Sequence, residues 1–400
     1  MAVCANCRSV VEDAARFCPQ CGAPLFPVPR RLGVGSELAV EDFARVVLGH
    51  ELGEGGMGIV YRGWLYYDPQ GRFAGTEPHP VAVKVLHPLL RGRDRARKMF
   101  RREAEALRRL AHPNIVHFFA LTEDPTHIAI VMELVHGEPL SSIVVRGAET
   151  RPSPSAPCVP LALAWHYFAQ LLGALAAVHT LGILHRDVKP ANVIARADRV
   201  IKLTDFGIAR IPAEDTGATG GVAPGTGAYM SPEAVRGDPQ DPRSDLYSAA
   251  IVFYEMLTGR TPFDRPERTE LMVRAAQLDE APEPVTSLVA SAPPVLDVLM
   301  ARALAKDAAL RPATAVELGE AFRAALGLPE TAGWQAQRRL AELARTISGL
   351  ELPAIAPTEP EPPAEPLAER AAELRRDVVN AFSTQPLPRE PAGSKESERR

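Results

Sequence analysis

The chain has 400 residues and a formal net charge of −4 at pH 7, a slightly acidic balance that argues against a general nucleic-acid binder while leaving room for a local patch. Its hydrophobic share of 46% is ordinary for a globular protein, so a large core can form, and the length fits about two to three domains. The 38 prolines are clustered, which marks linkers, and four of the five cysteines crowd near the start, which favours metal binding over a disulfide framework. The first residues are polar and cysteine-bearing, so no signal peptide is expected. The longest apolar run, 161–184, is long enough to span a bilayer, yet it contains His166, Gln170, His179 and two glycines. It reads as a buried helix, and a soluble cytoplasmic protein is expected, with no membrane partner.

Cys4-Ala5-Asn6-Cys7 and Cys18-Pro19-Gln20-Cys21 come first in the chain. Two Cys-x-x-Cys pairs at this separation can each sit on a tight turn and together complete a tetrahedral thiolate shell for structural Zn²⁺, with no open position for catalysis. The alternative is a pair of disulfides or a redox dithiol, which a reducing cytosol disfavours. The segment resembles a small zinc ribbon, too short to fold by apolar burial alone, so metal binding would supply most of its folding free energy. Residues 24–42, rich in proline and glycine, read as a linker.

Leu52-Gly53-Glu54-Gly55-Gly56-Met57-Gly58-Ile59-Val60-Tyr61 follows. Gly-x-Gly-x-x-Gly alone is a weak signal and can be a dinucleotide turn. That turn needs a helix directly after the glycines, whereas Ile59, Val60, Tyr61 and Trp64 read as strand. A hairpin over ATP phosphates fits better, with Gly53, Gly55 and Gly58 letting the backbone approach without side-chain clash. Residues 64–80 exceed what such a hairpin needs and read as an insertion without an assigned role. Residues 81–86 form an apolar strand containing Lys84, a costly placement unless the lysine is paired. Residues 91–110 read as an amphipathic helix in which Glu103 shares a stripe with Met99, Phe100 and Leu107; Glu105 is the competing choice for a functional carboxylate. Residues 128–133 read as a strand, 146–160 as a loop holding an isolated Cys158, and 161–181 as a helix.

The centre of the chain carries His185-Arg186-Asp187-Val188-Lys189-Pro190-Ala191-Asn192 and then Asp205-Phe206-Gly207. In order and spacing these closely resemble the catalytic loop and metal-binding turn of protein kinases. The resemblance covers roughly 44–328 and is nearest to bacterial-type Ser/Thr kinases. It implies an α+β bilobal fold, with a β-rich N-lobe and a helical C-lobe, and transfer of the ATP γ-phosphate to protein hydroxyls. By that resemblance Lys84 holds the α- and β-phosphates and pairs with Glu103, and Val60, Ala82 and Ile194 sandwich the adenine. Met132 is the gatekeeper, and the hinge Glu133-Leu134-Val135 bonds adenine through its backbone. Asp187 orients the substrate hydroxyl and accepts its proton; Lys189, typical of Ser/Thr-directed kinases, neutralises the γ-phosphate; Asn192 and Asp205 offer oxygens to Mg²⁺ (or Mn²⁺). His185 packs against Phe206 rather than acting as a base. By the same resemblance Arg186 awaits a phosphate on the activation loop, where Thr216 and Thr219 are autophosphorylation candidates, and Thr226 is a substrate-positioning residue that contacts Asp187 and Lys189. The resemblance further implies that Glu233 pairs with Arg311 and that Asp245 holds the catalytic-loop backbone. Ser231 and Ala250 stand where the family usually has alanine and glycine.

Beyond the kinase-like region, 330–350 and 367–382 read as helices, and the Pro/Glu-rich stretch 352–366 reads as disordered. The resulting organisation is a zinc ribbon at 1–26, a linker at 27–43, a kinase domain at 44–328 and a tail at 329–400. Protein substrates are the implied partners, with an intracellular regulator acting through ribbon or tail; a homodimer stays open. The runner-up function is a kinase-fold scaffold or signalling adaptor. Such proteins usually lose the lysine or one of the two aspartates, and Lys84, Asp187 and Asp205 are all present. A ribbon that brings the kinase to nucleic acid is a third reading, and Arg8 and Arg16 are too thin a footprint for it.

Overall fold

The computed structural model describes residues 2–3, 9–11, 20, 32–41, 44–67, 77–124, 126–206 and 226–328. The four N-terminal cysteines, Thr216, Thr219, the middle of the 64–80 insertion and all of 329–400 lie outside the described residues. A short antiparallel hairpin, β1 (Ala2–Val3) and β2 (Val10–Val11), pairs Ala2 with Val11 and Val3 with Val10.

The N-lobe is a six-stranded antiparallel sheet in the order β3-β4-β5-β6-β8-β7. Its strands are β3 (Glu37–Glu41), β4 (Ala44–Glu54), β5 (Gly58–Tyr67), β6 (His79–Leu86), β7 (Phe118–Glu123) and β8 (Ile128–Glu133). Strand β3 corrects the linker reading of 27–43. Leu38 and Val40 alternate with the exposed Glu37 and Ala39 and are buried with Val46, Leu48, Tyr61 and Val131 in one apolar cluster. That period of two is visible in Glu-Leu-Ala-Val-Glu, but the prolines and glycines upstream mask it. The sheet curls until its two edges meet, where Thr122 Oγ1 of β7 donates to the Ala39 carbonyl of β3.

The register sorts the sheet into two faces, because residues directly opposite share a face. Val60 lies opposite Lys84, Lys84 opposite Ile130, and Ala82 opposite Met132. These five line the face toward the main core, while Val81, Val83, Val85, Ala129 and Val131 fill the curled interior. Helix α1 (Asp94–Arg108) packs by Ala96, Phe100, Glu103, Ala104 and Leu107, and its Arg101 Nε donates to Glu123 Oε2 of β7 at 2.7 Å. The helix is three residues shorter at its start than its charge pattern implies, since Pro88–Leu90 forms a separate turn.

A small sheet, β9 (Gly137–Pro139), β10 (Val193–Arg196) and β11 (Ile201–Leu203), starts the C-lobe. Helices follow: α2 (Leu140–Thr150), α3 (Leu161–Thr180), α4 (Pro232–Arg236), α5 (Pro242–Thr258), α6 (Glu270–Asp279), α7 (Val285–Leu288), α8 (Val295–Ala303) and α9 (Ala315–Ala325). Helix α2 runs to Thr150, so the loop read at 146–160 begins only at Arg151. That loop is not loose: the Cys158 and Val159 amides donate to the carbonyls of Leu257 and Met256 at 2.9 and 2.8 Å. Cys158 is buried, with its thiol pushed up by that burial. Helix α3 is long and apolar enough to cross a membrane, but most of it is buried in the core. There Phe168 stacks on Phe253 of α5 at 4.6 Å, and Phe322 of α9 meets both rings at 5.5 Å. Helix α5 is capped by Asp241, which accepts from the Arg243 amide, and ends at Gly259, whose φ of 83° suits glycine. Buried along most of its length, it is the post that holds the 185–192 segment through Asp245.

Candidate active site

Lys84 sits inside β6 with only 8% of its surface exposed. Its Nζ lies 2.6 Å from Glu103 Oε1 and 3.1 Å from Asp205 Oδ1. Burial opposes the charge on Lys84, but the two carboxylates outweigh it and hold the ammonium protonated, above its ordinary value. Burial likewise works against Asp205, and Lys84 overcomes it, keeping that carboxyl below the usual range. Glu105 is exposed and meets Arg108 instead, so Glu103 is the carboxylate in the chain. Helix α1, strand β6 and the turn after β11 are thus joined through one ammonium.

The three motif glycines differ in what surrounds them. A side chain at Gly58 would come within 2.4 Å of the Val85 carbonyl, so the sheet itself demands glycine there. Gly53 has no atom within 4 Å of that position, and Gly55 has only the Gly58 carbonyl at 3.9 Å. The turn between the strands is closed by Gly55 N–H to Gly58 O at 2.9 Å. Val60, Ala82 and Met132 share the face that carries Lys84. Glu133 is half-buried: its amide donates to His117 O, and its carboxylate takes Lys202 Nζ at 2.8 Å and the His117 amide at 3.1 Å. Lys202 pairs across from Ile194, so the Ile194 face of the small sheet looks toward the end of β8. Val135 is half-buried just beyond.

Asp187, Lys189 and Asn192 come together. Lys189 Nζ lies 2.9 Å from Asp187 Oδ2, and Asn192 Nδ2 donates to Asp187 O and Oδ2 at 2.8 and 3.0 Å. The loop is fixed from below by Asp245, 1% exposed, whose two oxygens accept the His185 and Arg186 amides at 2.8 Å each. Burial opposes the Asp245 charge; His179, 2.9 Å away, and the backbone amides outweigh it and hold the carboxyl low. These bonds restrain Arg186 at φ 65°, a conformation that costs about 1–3 kcal/mol for a side-chain-bearing residue. Asp205, at φ 52°, is strained likewise. His185 is fully buried, and burial pushes its pKa down; its Nε2 donates to Thr204 O at 3.0 Å while Nδ1 accepts the Asp187 amide at 3.3 Å. No ring nitrogen is left for proton transfer, and the ring packs on Phe206 at 4.6 Å. Leu107 and Phe206 are buried and Phe118 is half-buried against the same core.

Thr226–Tyr229 forms a 3-10 turn below the catalytic loop; the Thr226 side chain lies outside the described residues. Tyr229 OH donates to Glu255 Oε2 of α5 at 2.6 Å. Burial pushes Glu255 up to about 7, Tyr229 offsetting part of the effect and Asp264 adding to it. Because the folded value lies above the ordinary carboxylate value, this group contributes stability that is complete below pH 4.5 and lost as pH rises through about 7. Glu255→Gln keeps the acceptor and removes the titration. The unfolding free energy of the wild type should therefore fall relative to the variant between pH 5 and 8, by up to roughly 3 kcal/mol. A difference between the two proteins that stays constant over that range would contradict it.

Beyond this centre, Glu233 and Arg311 form a buried two-pronged pair at 2.7 and 2.8 Å. Sequence motifs did not reveal the Lys202–Glu133 clamp, the Tyr229–Glu255 bond or a buried Gln277 beside the 226–229 turn; only the oddity of a lysine within Ile201–Leu203 hinted at the first.

A two-lobed fold with a paired strand lysine, a mounted catalytic loop and an acidic turn after β11 defines a protein kinase. The chain belongs to the protein kinase family: the protein kinase domain model matches residues 46–321, and a zinc-ribbon domain model matches 3–25. Within that family it is a bacterial-type Ser/Thr kinase, an ATP-dependent phosphotransferase. It is 35% identical over 290 residues to the serine/threonine-protein kinase PknL of Mycobacterium tuberculosis, covering 72% of this chain and 68% of that protein. It is 38% identical over 281 residues to the kinase pkn2 of Myxococcus xanthus, covering 68% of this chain and 31% of that longer protein. The crystal structure of the Mycobacterium tuberculosis PknI kinase domain superposes with a TM-score of 0.55 at 28% identity, covering 74% of this chain and all of that one.

Proposed function

We propose that Asp187 orients the substrate hydroxyl and accepts its proton, with Lys189 beside it to neutralise the γ-phosphate. The single observation that carries this reading is the ion-paired Lys84, bound at once to Glu103 and Asp205. Aligned with it, Lys84 holds the α- and β-phosphates under the glycine hairpin of Gly53, Gly55 and Gly58, and the adenine lies among Val60, Ala82, Ile194, Met132 and the Glu133–Val135 backbone. Asn192 and Asp205 fit a hard divalent cation, Mg²⁺ or Mn²⁺: the Asn192 Nδ2 is committed to Asp187, which leaves Oδ1 to face the metal, and Asp205 keeps its charge. Such an ion would neutralise phosphate charge during transfer.

Cys4, Cys7, Cys18 and Cys21 hold a structural Zn²⁺ in this reading. The hairpin of β1 and β2, which brackets the first pair, supports it, as does the four-thiolate donor set. The ribbon (1–26) and tail (329–400) recruit an intracellular regulator, the kinase domain (44–328) gains β3 upstream, and the enzyme acts on protein substrates in the cytoplasm. Burial of α3 in the core marks the one candidate membrane span among the described residues as a core helix.

Thr216 or Thr219 is autophosphorylated, and Arg186, held in place by Asp245, receives the phosphate and orders the loop. Incubation with Mg²⁺ and ATP followed by intact-mass measurement and site mapping should add phosphate at these threonines in the wild type. A Thr216→Ala/Thr219→Ala variant with full activity and no added phosphate in the loop would remove the self-activation step.

A further inference from the structure

The 226–229 turn is gripped residue by residue from the helices beneath it. Gln277 of α6 has no exposed surface. Its side chain donates from Nε2 to the Ala228 carbonyl at 2.7 Å and accepts at Oε1 from Tyr247 OH of α5 at 2.5 Å. The amide orientation follows from its partners, since a carbonyl only accepts and so must face the Nε2 group. One turn earlier on α6, Arg274 lies over Gly227, where an added methyl would stand 2.6 Å from Arg274 Nε. Beside it, Ser248 Oγ of α5 donates to the Tyr229 carbonyl at 2.7 Å. The backbone carbonyl of Gln277 is itself held by Lys306 Nζ at 3.0 Å.

A buried amide is costly unless both of its ends are bonded, and here both ends serve to join the turn to the centre of the C-lobe. The turn lies between the activation loop and the helix that carries the Glu233–Arg311 pair. Lys84, Glu103 and the glycine hairpin all lie in the other lobe. We infer that Gln277 is a positioning residue for the protein substrate, fixing the 226–229 turn through the Ala228 carbonyl so that it presents a set surface to the incoming chain. This rests on the expectation that Thr226, at the head of that turn, positions the protein substrate. Loss of the bond acts on recognition of the protein and leaves nucleotide binding alone.

Steady-state phosphorylation of myelin basic protein tests this, with protein and ATP varied in turn. Gln277→Leu, close in volume, should raise KM for the protein by about tenfold, the worth of one buried hydrogen bond, with KM for ATP changed by less than about twofold. Gln277→Glu provides a second readout that does not depend on the first variant folding. Its buried carboxyl can donate to Ala228 O only when protonated, so its protein KM should be near wild type at about pH 6 and rise toward about pH 8.5, relative to the wild-type profile. Protein KM within about twofold of wild type for both variants across that range overturns the inference, even if they melt earlier; so does a parallel rise in KM for ATP. Thr226→Ala separates the two levels. If it leaves phosphorylation of the protein intact, the reading of the turn itself falls; if it cripples phosphorylation while both Gln277 variants behave as wild type, only the role of Gln277 falls.

Discussion

Asp187→Asn should lower the phosphorylation rate by about 10²–10⁴, the usual contribution of a positioned proton acceptor, while ATP still binds. The substitution is nearly isosteric, and an amide oxygen can still accept from Asn192. What it removes is the carboxylate charge that Lys189 faces at 2.9 Å and the ability to take a proton. Under the proposed assignment nucleotide affinity rests on a different set, Lys84, Glu103 and the glycine hairpin, so the two properties should separate. Measurement of the initial rate beside the affinity for a fluorescent ATP analogue distinguishes the outcomes. A variant that retains a third or more of the rate would exclude Asp187 as the proton acceptor, and one that loses ATP binding as well would show that the substitution had disturbed the loop rather than the chemistry.

Arg311→Ala should destabilise the fold by about 3–5 kcal/mol, because it leaves Glu233 buried with its charge unmatched. Arg311 is only 3% exposed, and it does more than pair: Nε donates to Ala305 O at 2.7 Å, and the guanidinium lies 4.7 Å over the Tyr247 ring. Burial works against the Glu233 charge, but Arg311 and Ser244 outweigh it and bring its pKa down to about 2. The folded value is below the ordinary one, so the pair's contribution is complete above pH 4.5 and lost as pH falls through about 2. Urea unfolding at neutral pH gives the magnitude. A loss below about 1 kcal/mol would place this pair with exposed ion pairs rather than buried ones. Removing Glu233 as well, as Glu233→Leu with Arg311→Met, should recover part of the loss, since a dry apolar pair avoids desolvating two charges.

The parts of this enzyme that could be read from sequence are those whose chemistry is carried by side-chain type at fixed spacing. A lysine in an apolar strand demands a partner, and the helix periodicity singles out Glu103. The aspartate at the head of α5 and the Glu233–Arg311 contact are legible from their motifs. What could not be read depends on backbone groups or on chain brought together over long separations. Gln277 meets the carbonyl of Ala228, 49 residues away, and a carbonyl leaves no trace in the sequence. Lys202 meets Glu133 across 69 residues. Strand β3 and the last turn of α2 were obscured by neighbouring proline and glycine, which composition weighs more heavily than a short alternation. The need for glycine at position 58 looks like phosphate binding in the motif, whereas the Val85 carbonyl alone requires it.

The meeting of the sheet's two edges at Ala39 and Thr122 also bears on solubility. An open sheet edge is a row of unpaired amides and carbonyls that can recruit a strand from another molecule. Here β3 covers the edge of β4 with its own five residues and places Leu38 and Val40 over the interior apolar cluster. A shortened protein cut at the start of the family match, residue 46, would strip that cover away. It would keep every residue assigned to catalysis and still present a sticky strand to its neighbours. Trimming the few residues ahead of the kinase core should therefore raise the protein's tendency to self-associate.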